Sequence, residues 1–543
     1  MAMIRSRVHL LLAVGWTLIA LFVFWQYDLL NRKLDADASF MLYAAQQILR
    51  GHAPYVSVAI VKLPLSPLVT AFSMGAGRIL QMDDIVGGRI GSWLCASLTV
   101  GAVYLIGAQL LKPSRSATQS VARDSSNVWG ILFGSLGAAI LVSSQALGVQ
   151  VGEGPEAKLP MICAGMVCLV LIAYQRLFWA GVAGALSFLA WQPGLLFAIA
   201  AVICSVLVPP RKRAFILTLA GIAVPLLLVG AYLALNGALG SMFRQAFGAN
   251  ANYFQEKKVA VGIFGIVLDN VTKVWNVSLE CSNTEVPYIT LGYVGMIGGA
   301  VYRVGRFLCQ LRDRSHLRAA LQQDEAVSLF LAAFPLVFSG AGLFAFSLLD
   351  LQKCSDLIPL LPFLALGAGA VFFTLILVAA RLVARATHVA EMSAAWVLGL
   401  LALLLVLAYG TTDAFHQPRQ NGLSQQRTLA RKIDALLQPD DRVQQFGDAV
   451  FLVVTHRENA TSYVHLGEKQ GLGILTAEGL TMDALIEQLR AATPRVITLS
   501  RAKNKEWAQP LYAWIETNYV LQTSYTGSSG GTAQETDVYQ RKE

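Results

Sequence analysis

From Leu34 to Leu65 the chain reads LDADASFMLYAAQQILRGHAPYVSVAIVKLPL, which sets two carboxylates, Asp35 and Asp37, and one ammonium, Lys62, beside long apolar runs. A second polar group follows the third apolar run, where GVQVGEGPEAKLP carries Glu153, Glu156 and Lys158. A carboxylate at a water–membrane boundary can act as a general base on a hydroxyl. An ammonium between Val61 and Leu63 is poorly solvated there and wants an anion, and a charge-assisted contact with a phosphate is worth roughly 1.5–3 kcal/mol. Each residue also has a purely structural reading. Asp37 stands where a helix N-cap belongs and Gly51 where a C′ glycine belongs; Lys62 can snorkel to headgroups; acids and prolines between two spans can be ordinary solvated loop.

The elements that must position these groups follow from composition. The chain has 543 residues, of which 55% are hydrophobic and 14% charged, and its uncharged runs are long enough to cross hydrocarbon. We therefore expect a mainly α, polytopic membrane helix bundle. Val8–Tyr27 has the length of an anchor and no small-residue cleavage site. Counting onward through Arg89–Leu111, Val128–Val149, Lys158–Tyr174 and later runs to Ala394–Tyr409 gives about eleven spans. Leu65–Leu80 is apolar enough to be one more, but counting it inverts every later loop. If it lies along or dips into the outer leaflet, Arg176, Arg211 to Arg213, the arginines of 303–318, and Arg381 and Arg385 all face the cytoplasm. The expectation is therefore an inner (plasma) membrane protein with a cytoplasmic N-terminus and an extracytoplasmic C-terminal part.

The net charge of +9 is spread over short loops, so it speaks for orientation and not for nucleic acid. Seven cysteines show no metal-ligand spacing; Cys281 and Cys354 are the two placed outside, where an oxidising compartment would allow them to pair. Span centres hold essentially no ionisable residue, which favours surface chemistry over ion-coupled transport.

Within the first outer loop, Met41, Ala45, Ile48 and Leu49 recur at helical spacing while Gln46, Gln47 and Arg50 face away, as in a short interfacial helix. Residues 1–410 form the membrane domain on this reading and residues 411–543 a small soluble α/β domain. In the latter AVFLVVT and RVITLS look strand-like, while MDALIEQLRAATP and EWAQPLYAWIETNY look helical. His456 and His465 stand isolated in it, and GSSGG lacks the flanking strand and helix of a phosphate cradle.

An anchor, an acidic pair, an amphipathic helix ending in glycine and a Lys-x-Pro-Leu segment together resemble the first outer loop of the GT-C glycosyltransferases, the superfamily of the protein O-mannosyltransferases and the lipid A aminoarabinose transferase. The two acids are commonly adjacent in that family and followed by a tyrosine; here they are Asp35-Ala36-Asp37, with Phe40 in the tyrosine's place. Counting back from Gly51 aligns Asp37 with the second acid, so the motif leaves either aspartate as the base. The resemblance implies a second acidic site, matched by Glu156 with Glu153 next. It also implies basic contacts to a carrier phosphate, matched by Lys62 and Lys353, with Arg244 or Lys257 as substitutes.

The implied activity is inverting transfer of a sugar from a polyprenyl-phosphate carrier to a lipid, protein or glycan hydroxyl, with membrane lipid around the site and no nucleic acid. A phosphate monoester leaving group requires no metal, although some relatives use a divalent ion. The D-A-D spelling also looks like the Asp-x-Asp of nucleotide-sugar enzymes, but those donors are cytoplasmic. A lipid-linked glycan ligase or polymerase, a transporter or flippase, and a scaffold are the other readings.

Overall fold

The computed structural model describes residues 2–543 apart from 112–119, 253–264, 278–285, 313–323, 417–420, 501–507 and short gaps at 267, 272, 275, 350, 352–353, 388, 465, 467–468 and 530–531. The apolar runs wind into α1 (Ala2–Trp25), α2 (Ala36–Leu49), α3 (Leu65–Ile79), α4 (Asp84–Leu110), α5 (Ser120–Val142), α6 (Gln145–Glu153), α7 (Lys158–Ala173), α8 (Leu177–Ala190), α9 (Leu195–Ser205) and α10 (Arg211–Leu235). Val286–Arg312, Asp324–Ser347, Leu361–Thr387 and Glu391–Gly410 come next. Among the described residues five helices are long and apolar enough to cross a bilayer, or six if α5 and α6, bent by 52°, form one span. That is fewer than the about eleven expected from apolar runs. The reason is length: α7 and α8 have 16 and 14 residues, below the roughly 20 that a bilayer needs.

Helices α1 and α4 are antiparallel neighbours. Trp93 Nε1 donates to the Leu21 carbonyl at 2.9 Å, and a Cβ on Gly101 would lie 2.9 Å from the Ala13 carbonyl. Helix α3 doubles back on the first half of α4. Gly77 and Gly87 allow this, since a Cβ on Gly77 would come within 2.8 Å of the Gly87 Cα. With 15 residues, α3 spans about 22 Å, short of the about 30 Å of hydrocarbon. Its outward face carries Phe72 and Ile79, 80% and 84% exposed. The chain from Trp25 to Asp84 therefore leaves and re-enters at one end of the bundle, and α3 overlies α4 there.

Beyond Gly410 a helix, Gly422–Asp434, leads into a four-stranded sheet of β1 (Val443–Phe446), β2 (Val496–Ser500), β3 (Tyr519–Ser529) and β4 (Thr532–Arg541). The order is β1-β2-β4-β3, with β1 parallel to β2 and the other pairs antiparallel. The helices expected at MDALIEQLRAATP and EWAQPLYAWIETNY form as Met482–Ala492 and Gln509–Asn518, and RVITLS supplies β2. AVFLVVT does not form a strand. Val450–Thr455 is a short helix whose entry is fixed by the Ala449 amide donating to Ser39 Oγ at 2.9 Å. GSSGG falls at the β3–β4 turn, where Ser529 pairs with Thr532.

This unit covers α2. Gln46 and Gln47, expected to face water, are 0% and 3% exposed, and Gln46 Nε2 donates to the Val453 carbonyl and to Asp84 Oδ2. The helical period is the expected one, but its polar face meets protein.

Cysteines introduced at the exposed positions Asn31 and Gln81 should react with an impermeant maleimide from one side of the membrane, and one at Lys212 only from the other. Modification of Gln81→Cys from the Lys212 side would show that α3 crosses.

Candidate active site

The approach to the aspartates is pinned from two sides. Arg89 of α4, with no exposed surface, donates to the Leu29 and Arg32 carbonyls at 2.6 Å each and to the Lys33 carbonyl at 3.3 Å. From the other side the Gln426 amide brackets Leu34, accepting from its N–H at 2.8 Å and donating to its carbonyl at 3.0 Å. Helix α2 then starts two residues earlier than expected. Asp35, not Asp37, holds the N-cap position, with φ −75° and ψ 160°, and its side chain makes no capping hydrogen bond. Asp37 sits in the first turn. Residues two apart on a helix point to different faces, so the two acids part company.

Lys62 is held through its backbone. The Tyr55 hydroxyl, on a residue 2% exposed, donates to the Lys62 carbonyl at 2.7 Å. Gln192 Nε2 and Asn250 Nδ2 both donate to the Val61 carbonyl at 3.2 Å, and the Ile60 N–H donates to Gln245 Oε1 at 2.8 Å. The Lys62 ammonium lies 5.1 Å from the centroid of Trp191, a residue at the turn between α8 and α9. A cation over an indole face is attracted by the ring quadrupole.

The second acidic site forms where α6 ends. Gly154 has φ +131°, and a Cβ there would meet the Ala38 Cβ at 2.8 Å, so only glycine lets this turn close against α2. The turn delivers Glu156, 3% exposed, and Lys158, 4% exposed. Lys158 Nζ lies 2.8 Å from Glu156 Oε1 and 3.2 Å from Asp356 Oδ1, and 5.9 Å from the same Trp191 ring. Burial pushes the Glu156 carboxyl above its ordinary range; Lys158 opposes this, Asp37 adds to it, and Lys62 opposes it again. Its other oxygen, Oε2, is buried without a hydrogen-bond partner, and the residue lines a cleft with Ser66, Thr70, Ser92 and Cys95.

Of the expected residues, Asp37 and Lys62 both act electrostatically on Glu156. Glu153 diverges, because as the last residue of α6 it acts on Arg32, whose guanidinium burial holds below its usual value. Arg244 is engaged elsewhere, with Nε 2.8 Å from Glu478 Oε2 in the C-terminal unit. Lys257, Lys353, Cys281 and His465 lie outside the described residues. His456 is not isolated: Nδ1 is 3.1 Å from Gln46 Nε2 and 3.6 Å from Asp84. Cys354, two residues before Asp356, is disulfide-bonded.

Sequence reasoning missed Trp191 and the pairing of Lys158 with Asp356. The only signal for the latter was an acid in a short outer turn beside a cysteine. Among the described residues no group of His, Cys, Asp or Glu is arranged to hold a metal ion, and the point between Glu156 and Asp356 is taken by the Lys158 ammonium. Chemically the cluster offers a partly exposed carboxylate, Asp37, beside cations held over an aromatic face.

A narrow apolar groove opens near Leu361, lined by Ile140, Leu141, Tyr288, Ile289 and Leu364, with Ser144 also on its wall.

Replacing Gly154 by alanine should lower stability by about 1–3 kcal/mol, because its φ and ψ belong to glycine and the added methyl meets Ala38. The thermal midpoint of the detergent-purified protein checks this, and an unchanged midpoint would contradict it.

The sequence matches no protein-family profile and no curated protein. Among solved structures the chain is similar to the archaeal oligosaccharyltransferase AglB from Archaeoglobus fulgidus in complex with an inhibitory peptide and a dolichol-phosphate. The identity is 12%, the match covers 98% of this chain and 74% of that one, and the TM-score is 0.49. It is also similar to the Archaeoglobus fulgidus oligosaccharyltransferase in complex with Zn and sulfate, at 14% identity, 97% and 73% coverage and a TM-score of 0.48.

Proposed function

We propose that the chain is a glycosyltransferase that moves a sugar from a polyprenyl-phosphate carrier to an acceptor hydroxyl, with inversion, at the outer face of the cytoplasmic membrane. The observation that carries this reading is that Lys62 and Lys158 share the Trp191 ring, with Lys158 paired to Glu156 and Asp37 acting electrostatically on that pair. Asp37 is the base: it takes the proton as the acceptor oxygen attacks the anomeric carbon. The bond from that carbon to the phosphate oxygen breaks, and its electron pair leaves with polyprenyl phosphate. Lys62 neutralises the charge that gathers on the leaving phosphate, and Trp191 keeps its ammonium in place. The groove between α5 and the helices Val286–Arg312 and Leu361–Thr387 is apolar, as a prenyl chain requires.

Two features support the orientation. Arg211 to Arg213, Arg176, Arg381 and Arg385 lie at helix ends away from the cluster, as cytoplasmic loops favour. The disulfide at Cys354 fits an oxidising compartment beside the cluster. A ligase acting on diphosphate donors would be expected to place arginines in the cluster, and among the described residues its cations are two lysines. Transport is disfavoured by the apolar packing of α4, α5 and α7 below the cluster.

With a radiolabelled polyprenyl-phosphate sugar and purified protein, Asp37→Asn should lose about 10²–10⁴-fold in turnover while Asp35→Asn keeps most of it. Full turnover by Asp37→Asn would remove the base assigned here.

A further inference from the structure

Two carboxylates on separate elements hold one buried ammonium: Glu156 before α7 and Asp356 in the turn before Leu361 both lie within ion-pair distance of Lys158 Nζ, and Asp37 of α2 acts on it electrostatically. Carboxylate oxygens are what hard divalent cations seek. Here an ammonium stands between them. We infer that Lys158 is the built-in cation of this site, occupying the place between Glu156 and Asp356 that a divalent metal would take, so that the site neither binds nor needs such a metal.

The geometry gives this lysine no other duty. It is the first residue of α7, where the helix dipole disfavours a positive charge, so its position answers to the acids and not to the helix. Its Nζ contacts Glu156 and Asp356 within ion-pair distance, Asp37 acts on it electrostatically, and the Trp191 ring closes one side. Glu156 Oε1 and Asp356 Oδ1 are both committed to the ammonium, which fills the space between them. A metal could enter only by expelling a side chain that is 4% exposed.

The chemical behaviour of a lysine here also differs from that of a metal ion. It is not lost to chelators, and as a point charge with three donors it can keep its acids while presenting positive potential to a phosphate held at Lys62. The inference deepens the glycosyl-transfer reading and rests on it for the phosphate, but its first test does not depend on it.

That test is Mn²⁺ binding, followed by electron paramagnetic resonance on chelator-treated protein in detergent. Wild type should show no site that Glu156→Gln removes. Lys158→Ala, or the better space-filling Lys158→Met, should gain one Mn²⁺ per chain with affinity at least about tenfold tighter, and adding Asp356→Asn should abolish it. A wild-type site sensitive to Glu156→Gln would overturn the inference, as would a folded Lys158 variant that gains none. Should neither variant fold, the wild type still decides: its thermal midpoint and its transfer rate are unchanged by EDTA, whereas a loss restored by Mn²⁺ refutes the built-in cation. If no transfer is seen under any condition, the glycosyl-transfer reading fails and the Mn²⁺ result stands.

Discussion

The ammonium of Lys158 between Glu156 and Asp356 is the interaction on which the α2 end of this bundle depends. A buried ion pair gains little over an apolar substitute, but removing one partner of an existing pair costs about 3–5 kcal/mol because the other charge is stranded. Lys158 and Glu156 are nearly solvent-free, and with Asp356 they tie the start of α7 to the turn before Leu361. Trp191 extends the tie to Lys62, since both lysines share its ring. Elements far apart in sequence are thereby fixed around Asp37, and the site is set by long-range electrostatics instead of local motif geometry.

That end of the molecule is also where backbone groups are most deliberately matched. The stretch from Tyr55 to Lys62 is neither helix nor strand, yet its carbonyls and amides find Tyr55, Gln192, Asn250, Gln245 and the Ser462 carbonyl. An irregular segment under a covering domain has no water to satisfy it, so side chains must do so. The result is a backbone frame that fixes where the Lys62 side chain begins.

How much of this was legible in the sequence depends on the range of the interactions involved. Asp37, Lys62 and Glu156 stand out in the sequence because they are charges that flank apolar runs. Trp191 and Asp356 do not, because their partners lie far along the chain and no local period marks them. At the start of α2 the cap falls on Asp35 and not on Asp37, since either residue can cap and only the surrounding tertiary contacts decide. AVFLVVT shows the same limit: its β-branched residues favour a strand, and packing against α2 made it a helix. The described helices of crossing length are fewer than the apolar runs because apolarity reports burial as readily as it reports lipid, and α7 and α8 are short and buried mostly in protein.

The manner in which α2 is enclosed carries a consequence for how such a protein can change. Ser39, Tyr43 and Gln46 each hydrogen-bond the C-terminal unit directly, through the Ala449 amide, the Asn459 amide and the Val453 carbonyl. The C-terminal part is therefore one wall of the enclosure around α2 and no detachable cap. Exchanging it for a homologous module would ask the newcomer to reproduce three hydrogen bonds in register with a helix it has never met. The helix and the unit that covers it are thus inherited together, and diversification has to proceed through loops at the rim, not by shuffling whole modules.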